Sequence, residues 1–136
     1  MAKQTKKDYI YAVGRRRESS ARVRLHKGKD QSMVNDQPIG QYFAGAIAMA
    51  SWNKPFELTQ LAGKYFVTVK VAGGGKNGQL GAVVLGTARA IEKLDPEKYR
   101  PALKKAGLLT RDSRIRERRK INTGGKARRK KQSPKR

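Results

Sequence analysis

Three consecutive arginines, Arg15, Arg16 and Arg17, lead into a stretch in which Arg22, Arg24 and His26 fall on alternate positions. Alternate side chains of an extended strand share a face. Arg22, Arg24 and His26 therefore point one way, and Ala21, Val23 and Leu25 the other. Guanidinium forks match phosphate oxygens and guanine edges, so the basic side reads as a nucleic-acid surface. Taken singly, each of these residues also fits an ordinary solvated position, because antiparallel sheets commonly leave one face in water. His26 is the chain's one histidine, with no second imidazole or thiol to share a metal and no nucleophile beside it. It reads as a polar surface residue.

A second cluster is G-G-G-K-N-G-Q-L-G at 73–81, placed between a strand pattern and a helix pattern. It lacks the Gly-Lys-Ser/Thr ending of a nucleotide phosphate loop and the acidic ribose partner of a dinucleotide site. One reading is a flexible connection. The other is a close approach of backbone to a bulky partner, with Lys76 adding charge and the amides of the following helix facing an RNA phosphate. Further on, T-R-D-S-R-I-R-E-R-R-K at 110–120 supplies Arg111, Arg114, Arg118, Arg119 and Lys120. Like charges at four-residue spacing oppose a helix, and a polyanion would relieve that repulsion. Lys126, Arg128, Arg129, Lys130 and Lys131 continue the run without any aromatic residue, so base stacking is not how this end binds.

Catalysis finds no footing. The ten carboxylates are scattered without the spacing of a two-metal site, Ser19 and Ser20 have no evident base, and cysteine is absent. No cofactor and no metal site is expected.

The elements that must position these residues follow from the charge distribution. The 136-residue chain carries a formal charge of +23, the signature of a polyanion binder, with nucleic acid ahead of anionic membrane or acidic protein. Most of the excess lies at the ends: residues 31–99 hold seven cations and five acids, whereas residues 111–136 hold thirteen cations and two acids. Three parts are expected: a flexible N-terminal segment at 1–8, a globular α+β RNA-binding domain at 9–110, and an extended basic C-terminal arm at 111–136. The arm has too little apolar surface to offset its ordering entropy. Strands are predicted at 9–13 (Tyr9, Tyr11 and Val13 on one face), 19–27, 33–34 and 64–72, the last with Tyr65, Val67, Val69 and Val71 on one face. Helices are predicted at 39–52, stopped by Pro55, at 82–94 with Gly86 a weak point, and at 96–106 with a kink or restart at Pro101. The expected architecture is a small four-stranded sheet with helices on one face. No basic-then-apolar leader opens the chain, and no apolar run approaches a membrane span. A DNA-compacting protein with a basic arm and an RNA-processing enzyme are the rival readings. The first lacks apolar wedges suited to intercalation, and the second lacks a catalytic cluster.

V-G-R-R-R-E-S-S-A-R-V-R-L at 13–25, Q-Y-F at 41–43, G-G-G-K-N-G-Q-L-G-A at 73–82, K-K-A-G-L-L-T-R-D-S-R at 104–114, E-R-R-K at 117–120 and the final K-A-R-R-K-K-Q-S-P-K-R occur in one order along nearly the whole chain. Together they resemble the family of small-subunit ribosomal protein nine, in its bacterial type. The resemblance implies a fold similar to domain two of ribosomal protein five of the same subunit, with an unusual left-handed crossover. It implies a cytoplasmic, non-enzymatic constituent of the small ribosomal subunit, bound in the head to 16S-type ribosomal RNA beside neighbouring head proteins. It also implies that the C-terminal arm reaches the anticodon stem-loop of peptidyl-site tRNA, through Lys135 and Arg136. The chain departs from the family's usual ending at Lys131, Ser133 and Pro134, while the terminal Lys-Arg pair matches.

Overall fold

The computed structural model describes residues 9–115 and Arg118. The expected segments at 1–8 and beyond 118, with the cations Arg119, Lys120, Lys126, Arg128, Arg129, Lys130, Lys131, Lys135 and Arg136, lie outside the described residues.

Strand β1 (Tyr9–Arg16) and strand β2 (Ser19–Lys27) form an antiparallel hairpin whose turn places Arg17 at φ 54°. Two-residue strands follow, β3 (Met33–Val34) and β4 (Gln37–Pro38), then helices α1 (Ile39–Tyr42) and α2 (Ala46–Thr59). Strand β5 (Tyr65–Ala72), α3 (Lys76–Leu94) and α4 (Pro96–Lys105) complete the domain. The sheet order is β1-β2-β5-β3-β4, with β3 parallel to β5 and every other pairing antiparallel. The crossover from β3 to β5 carries β4, α1 and α2.

The sheet is five-stranded and mixed, where four strands were expected. The extra strand arises at Asn35 and Asp36, both at positive φ (48° and 66°), which close a two-residue hairpin between β3 and β4. Asn and Asp tolerate that conformation because their short polar side chains bond locally. The Asn35 side chain instead reaches across to β5, donating to the Val71 carbonyl and accepting from the Val71 amide.

Among the described residues helices number four rather than three. The expected helix at 39–52 breaks after Tyr42 and restarts beyond Gly45 at φ 105°. Pro55 does not stop it: α2 runs on to Thr59, losing one backbone donor while burying Pro55 and Phe56 in the core. Pro101 likewise sits inside an uninterrupted α4, which Asp95 caps by accepting from the Lys98 amide and whose end is followed by Gly107 at φ 76°. Helix α3 starts six residues before the expected 82, inside the glycine run.

One face of the sheet meets the helices. Ala12, Ala21, Val23, Leu25, Val67, Val69 and Val71 are buried there against Ala82, Val83, Ala88 and Ile91 of α3. Full burial of a valine contributes about 1.5–3 kcal/mol. Leu94, at the end of α3, is only partly buried. Gly86, the expected weak point, is a contact surface. A Cβ there would lie 2.6 Å from Val23 Cγ2, and a Cβ on the facing Gly14 would overlap the Ala82 carbonyl. The two glycines let α3 lie directly on β1.

Candidate nucleic-acid interface

Among the described residues no helix covers the opposite face of β1, β2 and β5. Register sets Val13, Arg22 and Lys70 in one row and Tyr11, Arg24 and Thr68 in the next. Arg22, Arg24 and Lys70 are exposed. They border a groove completed by Met33, Thr68 and one acid, Asp36. Tyr9, Tyr11 and Val13 share a face as expected, and it is this open one. The core side of β1 is Ile10, Ala12 and Gly14.

His26 is more than a solvated polar residue. It is half-buried between Tyr9 and Phe66, and its Nε2 pairs with Thr68 Oγ1 at 2.8 Å. Burial, and secondarily the Arg24 charge, lowers its pKa from the ordinary 6.5.

At the hairpin end the three arginines diverge. Arg15 and Arg17 are exposed. Arg16 is held by Asp112, pairing with Oδ1 at 2.6 Å and donating to the backbone carbonyl at 3.0 Å. Arg114 grips the same carboxylate from the other side, Nη2 to Oδ2 at 2.7 Å and Nε to Oδ1 at 2.9 Å. These bonds, those from Arg114 foremost, hold the Asp112 carboxyl well below the usual carboxylate range. Asp112 thus draws Arg16 and Arg114 to one site and pins the chain where it leaves α4. Arg111, Arg114 and Arg118 are exposed.

The glycine run closes on its own protein. Gly73 and Gly74, at φ 78° and 63°, turn the chain from β5 into α3. The buried Ser19 donates to the Gly73 carbonyl at 3.0 Å, and a Cβ on Gly78 would lie 2.9 Å from its hydroxyl. The close approach expected of these glycines is therefore made by Ser19. Lys76 stands in the first turn of α3, donates to the Tyr42 carbonyl at 2.9 Å and lies 4.5 Å from that ring's centroid. Tyr42 donates to Gln79 Oε1 at 2.6 Å, and Gln79 donates to the Gly73 carbonyl at 3.2 Å. The Q-Y-F and glycine motifs are one cluster in space.

Asp112, Gln79, Tyr42 and the rings around His26 were not among the predicted site residues. The first three stand inside motifs already singled out, so the motif itself was the signal. The ring row becomes visible only when the strands are placed in register. Among the described residues no group of three His, Asp or Glu side chains is gathered for a metal, and no helix is long and apolar enough to cross a membrane.

Fold and charge define the class: a basic α+β domain with an uncovered cationic sheet face. The model of the family described as ribosomal protein S9/S16 matches residues 14–136. Small ribosomal subunit protein uS9 of Solidesulfovibrio magneticus is 48% identical over 118 residues, which is 87% of this chain and 90% of that protein. The protein of the same name from Cutibacterium acnes is 46% identical over 109 residues, and the one from Renibacterium salmoninarum 44% over 109. Each alignment covers 80% of this chain, which spans 63% and 65% of those two relatives. The chain belongs to the ribosomal protein S9/S16 family, a family of small-subunit ribosomal proteins and not of enzymes.

Proposed function

We propose that the protein is a structural constituent of the small ribosomal subunit that binds 16S-type ribosomal RNA in the subunit head, beside neighbouring head proteins. The observation that supports this most is the uncovered sheet face, where Arg22, Arg24 and Lys70 stand exposed with Asp36 the one acid on the same groove. In this reading Arg15 and Arg17 extend the contact at the hairpin end, and Lys76 adds charge beside the amides that open α3. Arg16 and Arg114 present a charge pair already oriented by Asp112. The thirteen cations of 111–136 then follow the RNA outward, and Lys135 and Arg136 meet the anticodon stem of peptidyl-site tRNA. The location that goes with this reading is the cytoplasmic ribosome of a bacterial-type cell.

The test is a salt titration of binding to the head domain of 16S-type RNA. With six to ten phosphates neutralised, affinity falls roughly a thousandfold or more between about 50 and 200 mM salt, by analogy with duplex DNA. Removing residues 111–136 flattens the slope more than substituting Arg22 and Arg24 together, because it removes more cations. On assembled subunits, removing only Lys135 and Arg136 leaves assembly intact and speeds tRNA dissociation. A flat salt response overturns the RNA reading, and unchanged tRNA dissociation overturns the role of the last two residues.

A further inference from the structure

Three rings line up across the open sheet face at the end away from the β1–β2 turn. Pairing sets Tyr9, His26 and Phe66 side by side on β1, β2 and β5. His26 stacks on Phe66 with centroids 5.0 Å apart and planes 15° from parallel, and Tyr9 leans on His26 at 5.6 Å and 55°. All three are half-buried, and Tyr11 in the next row is 41% exposed. The core does not need them, because Ile10, Leu25 and Val67 occupy the helix side at the neighbouring positions. Apolar rings left at the solvent side of so charged a domain point to a partner with apolar surface of its own.

The charges around the rings narrow that partner. The Arg24 guanidinium lies 5.1 Å from the Tyr9 ring centroid, and Arg22 and Lys70 stand further along the same face. Asp36 is the acid across the groove. Flat rings interleaved with cations match a nucleic-acid strand whose bases are free, since every base has a π-face and every linkage a phosphate. A duplex offers the phosphates but keeps its base faces stacked inside. His26 adds a polar feature: Nε2 is committed to Thr68, while Nδ1 makes no hydrogen bond among the described residues.

We propose that the Tyr9–His26–Phe66 row is a stacking platform for an unpaired RNA base, whose flanking phosphates are held by Arg24 and Arg22. This rests on the RNA-binding reading and assigns to the sheet face a recognition of bases that phosphate contacts cannot supply.

The experiment compares two probes on the full chain, a short oligoadenylate and an abasic phosphodiester strand of the same length and charge. The basic arm has no aromatic residue, so its charge treats both probes alike. The full chain binds oligoadenylate about tenfold more tightly, the scale of one base stacked on an aromatic group. The His26 ring protons shift upfield on binding. In the Tyr9→Leu, Phe66→Leu double variant the preference disappears while affinity for the abasic strand is retained. Equal binding of the two probes by the full chain, or a preference that survives in the variant, overturns the platform. The ring-proton shift is read on the unsubstituted chain, so it decides the matter even where the variant fails to fold, and its absence overturns the proposal. Failure of the full chain to bind either probe overturns the RNA reading beneath it.

Discussion

On β2, Val23 is fully buried beneath α3 while Arg22 and Arg24, one residue to either side, stand in solvent. On β5, Val69 is buried and Lys70 is exposed. The two faces share one set of backbone hydrogen bonds. The helix-covered face is apolar and closely packed. The open face carries cations and rings, with Thr68 beside Arg24 in one row and His26 between Tyr9 and Phe66 in the next. A register slip of one residue would exchange the faces, placing arginines under α3 and valines in water. Folding and, in the proposed reading, RNA recognition thus fall on alternate residues of the same strands and can be disturbed separately.

The largest effect comes from the covered face at Gly14. A methyl group there overlaps the Ala82 backbone carbonyl and crowds the Gly86 amide, neither of which is a flexible side chain that can yield. Gly14→Ala must push α3 off β1. Ordinary overpacking costs about 1–3 kcal/mol, and a backbone clash belongs at or above the top of that range. Urea unfolding of the full chain measures it. A loss under about 1 kcal/mol would mean that α3 can shift without cost to its contacts on the sheet.

The next test sets neighbours on β2 against each other. Val23→Ala removes two fully buried methyl groups and lowers stability by about 1.5–3 kcal/mol, with RNA affinity unchanged under conditions where both chains are folded. The double variant Arg22→Ala, Arg24→Ala does the reverse. Surface substitutions of this kind shift stability by about 0.5 kcal/mol or less, while affinity for the RNA head domain drops and its salt dependence flattens. Paired urea titrations and binding curves separate the two outcomes. An arginine pair whose removal leaves affinity untouched would confine recognition to the hairpin end and the arm.

The alternation that separates the faces was legible in the sequence of β2 and β5, where period two is unbroken by glycine or proline. The α+β class, the helices on one face and the extent of α4 near 96–106 were legible for similar local reasons. Four things were not. Glycines 75, 78 and 81 disfavour a helix locally, yet α3 begins among them, because Gly78 and Gly81 pack closely on Ser19 and Arg16. Pro55 and Pro101 break a helix in isolation, but each costs one hydrogen bond that buried neighbours such as Phe56 and Leu103 offset. The pairing of Asp112 with Arg16 spans 96 residues, and the Tyr9–His26–Phe66 row depends on three strands in register. Spacing along one strand cannot report either.

The smallest effect is a titration on the open face. His26 is the chain's one imidazole, so its ring protons report a single group. Tyr9, Phe66 and Thr68 contact it, and the Arg24 charge acts on it. Partial burial disfavours the charged ring, and Arg24 adds a smaller push in the same direction. The folded-state pKa therefore lies below the ordinary 6.5. Between the two values the unfolded chain binds more protons than the folded one, so stability rises with pH there. The contribution is fully present above 6.5 and is lost as pH falls through the folded value. The midpoint of the His26 titration should lie below 6.5, with a slight fall in the urea midpoint on the acid side. Arg24→Ala should return only the smaller part of the shift, because burial is the larger cause. A midpoint at or above 6.5 would mean that the ring stands in water rather than between Tyr9 and Phe66. The open face would then offer an RNA strand its charges alone.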